Sequence, residues 1–256
     1  MINCKLLFER LEKYAPIQLS YDMISRGHHD NSGIILDCEN FTDNILFCLD
    51  LTKKSVEYAI EKGCGIIVTH HPAIYRPVYN LKGDEPVLTC AKNNISIISM
   101  HLNLDCAKAG IDNFLATGLG ACKIDILDVL GDGVGYGRSF NVNMTAGEIY
   151  EQYKSVFCTD KVLLYGKKDA KITKIASFCG AGLDYAEIEQ AKKVGAQMVV
   201  SADISHHVLL FAIESGLCVL NCSHYSSENY GMKKVAEHFG NELNEKIYFF
   251  DDERFS

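Results

Sequence analysis

A chain of 256 residues, 48% apolar and 23% charged, has the length and composition to bury one large core or two modest ones. Its formal charge of -8, from 33 acidic against 25 basic residues with no dense Lys/Arg run, argues against a broad nucleic-acid footprint and leaves room only for a local basic pocket. No apolar run reaches the ~18 residues that a membrane span needs, and the first residues lack the layout of a secretory leader, so a cytoplasmic protein without membrane contact is expected.

Leu6, Leu7 and Leu11, set among Glu9, Glu12 and Lys13, predict a short amphipathic helix that Pro16 stops. The polar stretch 19–44 holds the cluster His28-His29-Asp30, and Asn31-Ser-Gly33 reads as a turn into a short strand over 34–36. Residues 45–51 are strand-like, Thr52 can cap a helix over 53–62, and Gly63 and Gly65 end it. Next comes a buried strand, Ile66–Thr69, which stops at His70, His71 and Pro72. Neighbouring residues on a strand face opposite sides, so both imidazoles reach one point only where the backbone turns. Pro72 keeps His71 extended and prevents a helix from starting on the pair. That places the pair on a loop at the carboxyl end of a strand, the usual edge of a binding crevice in an open α/β sheet.

Residues 73–84 read as a loop, 85–93 as a helix, 95–99 as a strand, and 101–105 as that strand's carboxyl end. A short helix covers 111–118, and four glycines in Gly131–Gly137 mark a linker or hinge. Beyond it follow a helix over 148–157, an extended piece over 161–165, a strand over 172–178 and Gly180-Ala-Gly182. The pattern continues with a helix over 185–194, strand 198–201, helix 208–214, strand 217–221 and a last helix near 227–239. The tail from Asn241 reads as peripheral, with residues 247–250 able to add one closing strand.

Alternating strands and helices predict an α/β protein with mostly parallel sheets flanked by helices. The order also repeats. The last strand of the first half is followed by His101 and, four residues on, Asp105; in the second half the corresponding residues are His224 and Glu228. Each middle strand is followed by a histidine pair, His70-His71 or His206-His207. Two similar lobes at 1–128 and 129–220, with a C-terminal segment 221–256, account for this echo; a recurrence of ordinary α/β order is the alternative.

Imidazole and carboxylate together suit Zn, Fe, Mn, Co or Ni. His70, His71, His101, Asp105, His206, His207, His224 and Glu228 all lie at or just past strand ends. One helical turn brings His224 and Glu228 to one side, and Asp105 has two oxygens with which to bridge two ions. His101 is either a ligand or a residue that orients one. His206 and His207 belong to the pocket or to a helix cap, and His28-His29-Asp30 to a solvated loop or to the site. Eleven cysteines, an odd number without a CxxC pair, read as buried reduced thiols. A thiol or redox enzyme would need Cys106 or Cys222, the cysteines nearest these positions.

The blocks Ile66-Ile-Val-Thr-His-His-Pro72, His101-Leu-Asn-Leu-Asp105 and Gly110–Ala116 resemble the GTP cyclohydrolase 1 type 2 family, also called NGG1-interacting-factor-like proteins. Asn31-Ser-Gly33, Cys179–Gly182, Ala202–His207 and Asn221–Glu228 extend the resemblance over about residues 3–240. It implies a dinuclear centre of two divalent ions held by His70, His71, Asp105, His224 and Glu228. It further implies two α/β lobes around the metals, a C-terminal segment that returns to the first lobe, and a ring-shaped homohexamer. The chain is similar to the short form of the family. One departure is that Ser201-Ala-Asp203 and Ser205-His-His207 stand where relatives carry Gly-Asp and a Lys-Tyr-His ending, which removes a lysine suited to a phosphate or carboxylate.

The chemistry expected is metal-assisted hydrolysis of a small molecule, with His101 or His207 as proton shuttle. A purine C–N bond, a phosphoester and an amide are the candidate targets. A non-catalytic metal-binding, regulatory or scaffold protein is the alternative.

Overall fold

Three runs of aliphatic and β-branched residues, Asn44–Cys48, Ile66–Thr69 and Ser96–Ser99, lie side by side as parallel strands in the computed structural model, which describes residues 1–255. Ile45, Phe47, Ile66, Val68 and Ile98 are all fully buried, as expected when both faces of a parallel sheet are covered. Lys246–Phe250 joins one edge, parallel to Asn44–Cys48, and Gly33–Leu36 closes the other, antiparallel to Ser96–Ser99. The tail is thus a sheet strand through its apolar run Ile247-Tyr-Phe-Phe250. On one face, the helix Lys53–Glu61 and the helix Pro86–Lys92 pack Val56, Ala59 and Cys90 against Leu46, Cys48, Ile67 and Ile97. Thr52 caps the first of these helices reciprocally, accepting from the Ser55 N–H at 3.1 Å while Ser55 Oγ accepts from its own N–H at 2.8 Å. Burial pushes the thiols of Cys64 and Cys90 up to about 11 and about 12, which suits packing rather than reactivity.

This sheet belongs to a unit made of Met1–Ala107 and Met232–Glu253. A second unit, Lys108–Gly231 with the chain end from Arg254, holds six strands in the order Ile124–Gly131, Val134–Thr145, Lys171–Ser177, Met198–Ala202, Cys218–Cys222, Val162–Tyr165. Lys171–Ser177, Met198–Ala202 and Cys218–Cys222 are parallel and the other three pairings are antiparallel, so this sheet is mixed. One of the antiparallel pairings comes from the glycine run. Gly131–Gly137 forms the turn and the first part of a long hairpin strand instead of a linker. Gly135, at φ +150°, lies so close to the Asp128 carbonyl that a Cβ would overlap it, so this bend requires glycine. The expected lobe boundary at 128/129 falls inside this hairpin.

Both units therefore carry three parallel strands in the same sequential order, a pseudo-duplicated pair of α/β sheets with flanking helices. In the second, Ala176, Val199 and Val219 form a core with Ile188 and Ala191 of the helix Tyr185–Lys193 and with Val208 and Ala212 of the helix His206–Glu214. The last helix starts earlier than its apolar pattern indicated, spanning His224–Glu242. The polar stretch after Pro16 contains an unanticipated helix, Gln18–Ser25, which buries only Leu19, Ser20 and Met23. Among the described residues no helix is long and apolar enough to cross a membrane.

Candidate metal centre

The turn at the end of Ile66–Thr69 has a backbone cause. Past the strand, the N–H groups of His70 and His71 both donate to the Leu49 carbonyl, at 3.2 and 3.0 Å, so the ladder curls and the two side chains no longer alternate. Thr69 Oγ1 donates to the His71 carbonyl at 2.8 Å and shares a hydrogen with Ser99 Oγ, also at 2.8 Å. The next strand, Ser96–Ser99, leads to His101, and a short helix, Leu102–Cys106, follows in place of an extended end. Asp105 donates its N–H to the His101 carbonyl at 3.0 Å, so one helical turn brings these two residues to one side.

The three imidazoles of this unit are each held through Nδ1. His70 Nδ1 lies 2.9 Å from the Met100 carbonyl, His71 Nδ1 2.7 Å from Asp50 Oδ1, and His101 Nδ1 2.8 Å from Asp30 Oδ1. An acceptor on Nδ1 selects the tautomer with its proton there and its lone pair on Nε2. One nitrogen from each ring lies within 4.8 Å of those of the other two. His70 is fully buried, and its Nε2 sits 3.4 Å from Oδ1 of Asp105, which is also buried. Burial works against the Asp30 charge, but hydrogen bonds from His101, Ser20 and Ser32 prevail and hold its carboxyl below the usual range. His29 and Asn31 bind the carbonyls of Tyr75 and Ile74, each at 2.6 Å, which ties the loop after Pro72 to the segment carrying Asp30.

In the second unit, His224 opens its helix and Glu228 follows one turn later, with Nε2 and Oε2 3.1 Å apart. His224 Nδ1 lies 2.8 Å from Oδ2 of Asp203, a residue at φ +48° directly after the strand Met198–Ala202. Glu228 is buried at 3% exposure. Against its carboxylate lies Gly180, at φ +56°, where a Cβ would overlap Glu228 Oε1 and come within 3.3 Å of His224 Nε2. The turn carrying Gly180 is fixed on several sides. Gly180 N–H donates to Ser227 Oγ at 3.2 Å, Cys179 N–H to Asp112 Oδ1 at 3.1 Å, and Tyr136 OH to the Cys179 carbonyl at 2.6 Å.

The sequence-predicted residues thus fall into two sets, with His70, His71, His101 and Asp105 together in the first unit and His224 with Glu228 in the second. His206 and His207 begin the helix His206–Glu214 and are exposed. The His207 ring sits 5.9 Å from Tyr185, with Nε2 3.3 Å from Ser205 Oγ. His28 is exposed. Of the two cysteines nearest the site in sequence, both buried, Cys222 has its thiol pushed up to about 12 by burial, which disfavours a thiolate nucleophile.

Asp50 and Asp203 were not anticipated, yet they do equivalent work in the two units. Each stands just past the end of one strand and holds the Nδ1 of a histidine that follows the neighbouring parallel strand. The signal available in the sequence was an acidic residue immediately after an apolar strand. Imidazole and carboxylate donors, with Nδ1 already engaged and the rings oriented, fit a divalent transition ion, and these buried clusters have the donors to hold metal. Asp50→Asn or Asp203→Asn is expected to weaken metal binding by about 10–100-fold, read by competition with a chromophoric chelator, while leaving the fold intact.

The chain is 31% identical over 237 residues to a GTP cyclohydrolase 1 type 2 homolog of Clostridium acetobutylicum, covering 89% of this chain and 85% of that one. It is 30% identical over 248 residues to the protein of the same description from Clostridium perfringens, covering 93% and 92%. The crystal structure of Staphylococcus aureus protein SA1388 superposes with a TM-score of 0.86 over 100% of this chain and 99% of that one, and at 24% identity it shows the shared fold. With these likenesses, and with a family model matching residues 2–254, the chain that presents these histidine and carboxylate clusters belongs to the Duf34/NIF3 (NGG1p interacting factor 3) family.

Proposed function

We propose that this protein is a metal-dependent hydrolase of small molecules, and that His70, His71, Asp105, His224 and Glu228 bind two divalent ions. One observation carries the reading. All four histidines in these clusters, three in the first unit and one in the second, are held through Nδ1 by a carboxylate or a carbonyl, and carboxylates stand within 3.4 Å of the Nε2 atoms of His70 and His224. An imidazole that only packs needs neither an acceptor fixing Nδ1 nor a carboxylate beside Nε2, whereas a metal ligand uses the first to set its ring and the second to share the ion. When bound, such ions polarise a substrate oxygen and make water nucleophilic near neutral pH.

The protein's own residues supply orientation. Asp50, Asp203 and the Met100 carbonyl fix three ring planes, and Gly180 leaves room beside the Glu228 carboxylate that any side chain would fill. Serine and alanine at Ser201-Ala-Asp203, and the absence of a lysine in Ser205-His-His207, favour a substrate other than a nucleoside triphosphate.

The test is metal analysis with anomalous scattering, followed by turnover assays of Zn-, Mn- and Fe-loaded protein on GTP, phosphodiesters and amides. Two ions per chain and metal-dependent turnover on one of these substrates are expected. Two ions with no turnover across the panel would shift the reading to a non-catalytic metal-binding or regulatory protein.

A further inference from the structure

The segment that holds His101 also grips the loop that follows the histidine pair. Asp30 Oδ1 lies 2.8 Å from His101 Nδ1, and on either side of Asp30 the side chains of His29 and Asn31 donate to carbonyls of that loop, those of Tyr75 and Ile74, each at 2.6 Å. Tyr75 OH donates in return to the His29 carbonyl at 3.3 Å, and the two rings meet edge-on with centroids 4.6 Å apart. Backbone and side chain of Tyr75 are thus both clamped, with its ring perpendicular to that of His101 and 6.3 Å from it between centroids. Even so, Tyr75 remains 43% exposed.

Past Tyr75 the loop is tied down again only at its far end, where Lys92 Nζ donates to the Gly83 carbonyl at 3.1 Å and Lys53 Nζ to Asp84 at 2.6 Å. Every residue from Arg76 to Lys82 is exposed, and none of them makes a hydrogen bond among the described residues. Val78, Tyr79 and Leu81 nevertheless stand in water, Tyr79 at 94% exposure. Large apolar side chains gathered on one short loop, at the carboxyl end of a parallel strand, are the pattern of a binding surface. A loop that only links two elements gains nothing from them.

Sites for small molecules join a few convergent polar groups to an apolar wall that holds the part of the ligand that does not react. The histidines and carboxylates are the polar groups. We propose that Tyr75 is the wall, with Val78, Tyr79 and Leu81 folding over the ligand against it, so that the substrate carries an aromatic or bulky apolar group beside the bond that is hydrolysed. This rests on the metal-dependent hydrolase reading above and narrows its substrate class. A ring laid on Tyr75 gains the edge or offset contact of an aromatic pair as well as the area it removes from water, and a wholly polar substrate gains neither. A second copy of the chain is the rival occupant for the same side chains, and the experiment separates the two.

The probes are acetohydroxamate and benzohydroxamate, which share one metal-binding group and differ by a methyl against a phenyl. Each is titrated calorimetrically into the full chain loaded with Zn(II), and the ratio of their affinities is divided by the ratio for Zn(II) free in the same buffer. A preference for the phenyl compound of at least about 10-fold is expected. Tyr75→Ala should reduce that preference to about 2-fold or less, and Tyr79→Ala should reduce it about 3-fold, with Zn(II) content unchanged in both. Tyr79 is too exposed for its loss to disturb folding, so the second variant decides the matter even where the first does not fold. Equal affinity for the two compounds overturns the proposal, as does a preference that survives the substitutions. A preference left intact while the substitutions break an oligomer in sedimentation also overturns it, and assigns the loop to a contact between copies. If the unmodified chain takes up no Zn(II), or takes it up and binds neither hydroxamate, the hydrolase reading fails and the proposal falls with it. That outcome is recognisable because acetohydroxamate, which has no use for the apolar wall, is lost as well.

Discussion

Replacing Asp105 by Ala is expected to lower metal affinity by more than about 100-fold, beyond what the loss of a group that merely orients a ligand produces, and to abolish metal-dependent turnover with it. Asp105 is 4% exposed, and its Oδ1 lies 3.4 Å from His70 Nε2. In so dry a position an anionic oxygen is costly without a cation and strongly attractive to one, because little water competes for either. The same reasoning gives a control. Without metal, Asp105→Ala should unfold at the same or higher denaturant concentration, since the variant no longer buries a carboxylate. Asp105→Asn keeps the shape and one acceptor oxygen but not the charge, and should fall between the two. An Ala variant that is clearly less stable without metal, yet takes up as many ions as the unmodified chain when loaded, would show that Asp105 is structural and not a ligand.

The largest stability effect is expected at Arg138. Arg138→Met should lower the unfolding free energy by about 3–5 kcal/mol, measured by urea denaturation of the metal-free protein. The guanidinium is 1% exposed, donates to the carbonyls of Gly135 and Gly137 at 2.8 and 3.2 Å, and sits 3.2 Å from Oδ2 of Asp112, which is fully buried. Removing one partner leaves a carboxylate in a medium that solvates it poorly, so the double variant Arg138→Met/Asp112→Asn should recover a substantial part of the loss. Additive losses in that cycle would mean the two groups do not act as a pair. The consequence reaches the site as well. Asp112 accepts the Cys179 N–H at 3.1 Å, and the next residue is Gly180, pressed against Glu228. Arg138→Met should therefore also weaken metal binding in the fraction that remains folded.

Much of the fold was legible because its signals are local. Ile66–Thr69 is strand in the sequence and in the structure, and the helix Ile111–Gly118 has the expected ends. Short β-branched runs and capping residues act over a few positions and need no partner to be recognised. Gly131–Gly137 misled for the same reason. Glycine permits a linker and a tight hairpin equally, and the choice was made by the pairing of Ile124–Gly131 with Val134–Thr145, a contact between segments.

By itself the sequence determined that two neighbouring imidazoles stop a buried strand, that an acid follows His101 and another follows His224 at four residues, and that the α/β order recurs. Those features depend on spacing along the chain, which strand and helix periodicity convert directly into direction. The tertiary structure alone decided which carboxylates hold the rings. Asp50 meets His71 across 21 residues, Asp30 meets His101 across 71, and Asp203 meets His224 across 21. Each of these pairings depends on which segments lie side by side in the folded unit. Hydrogen-bonded strand order and the packing of intervening segments set that, and neither is written into any single stretch of residues.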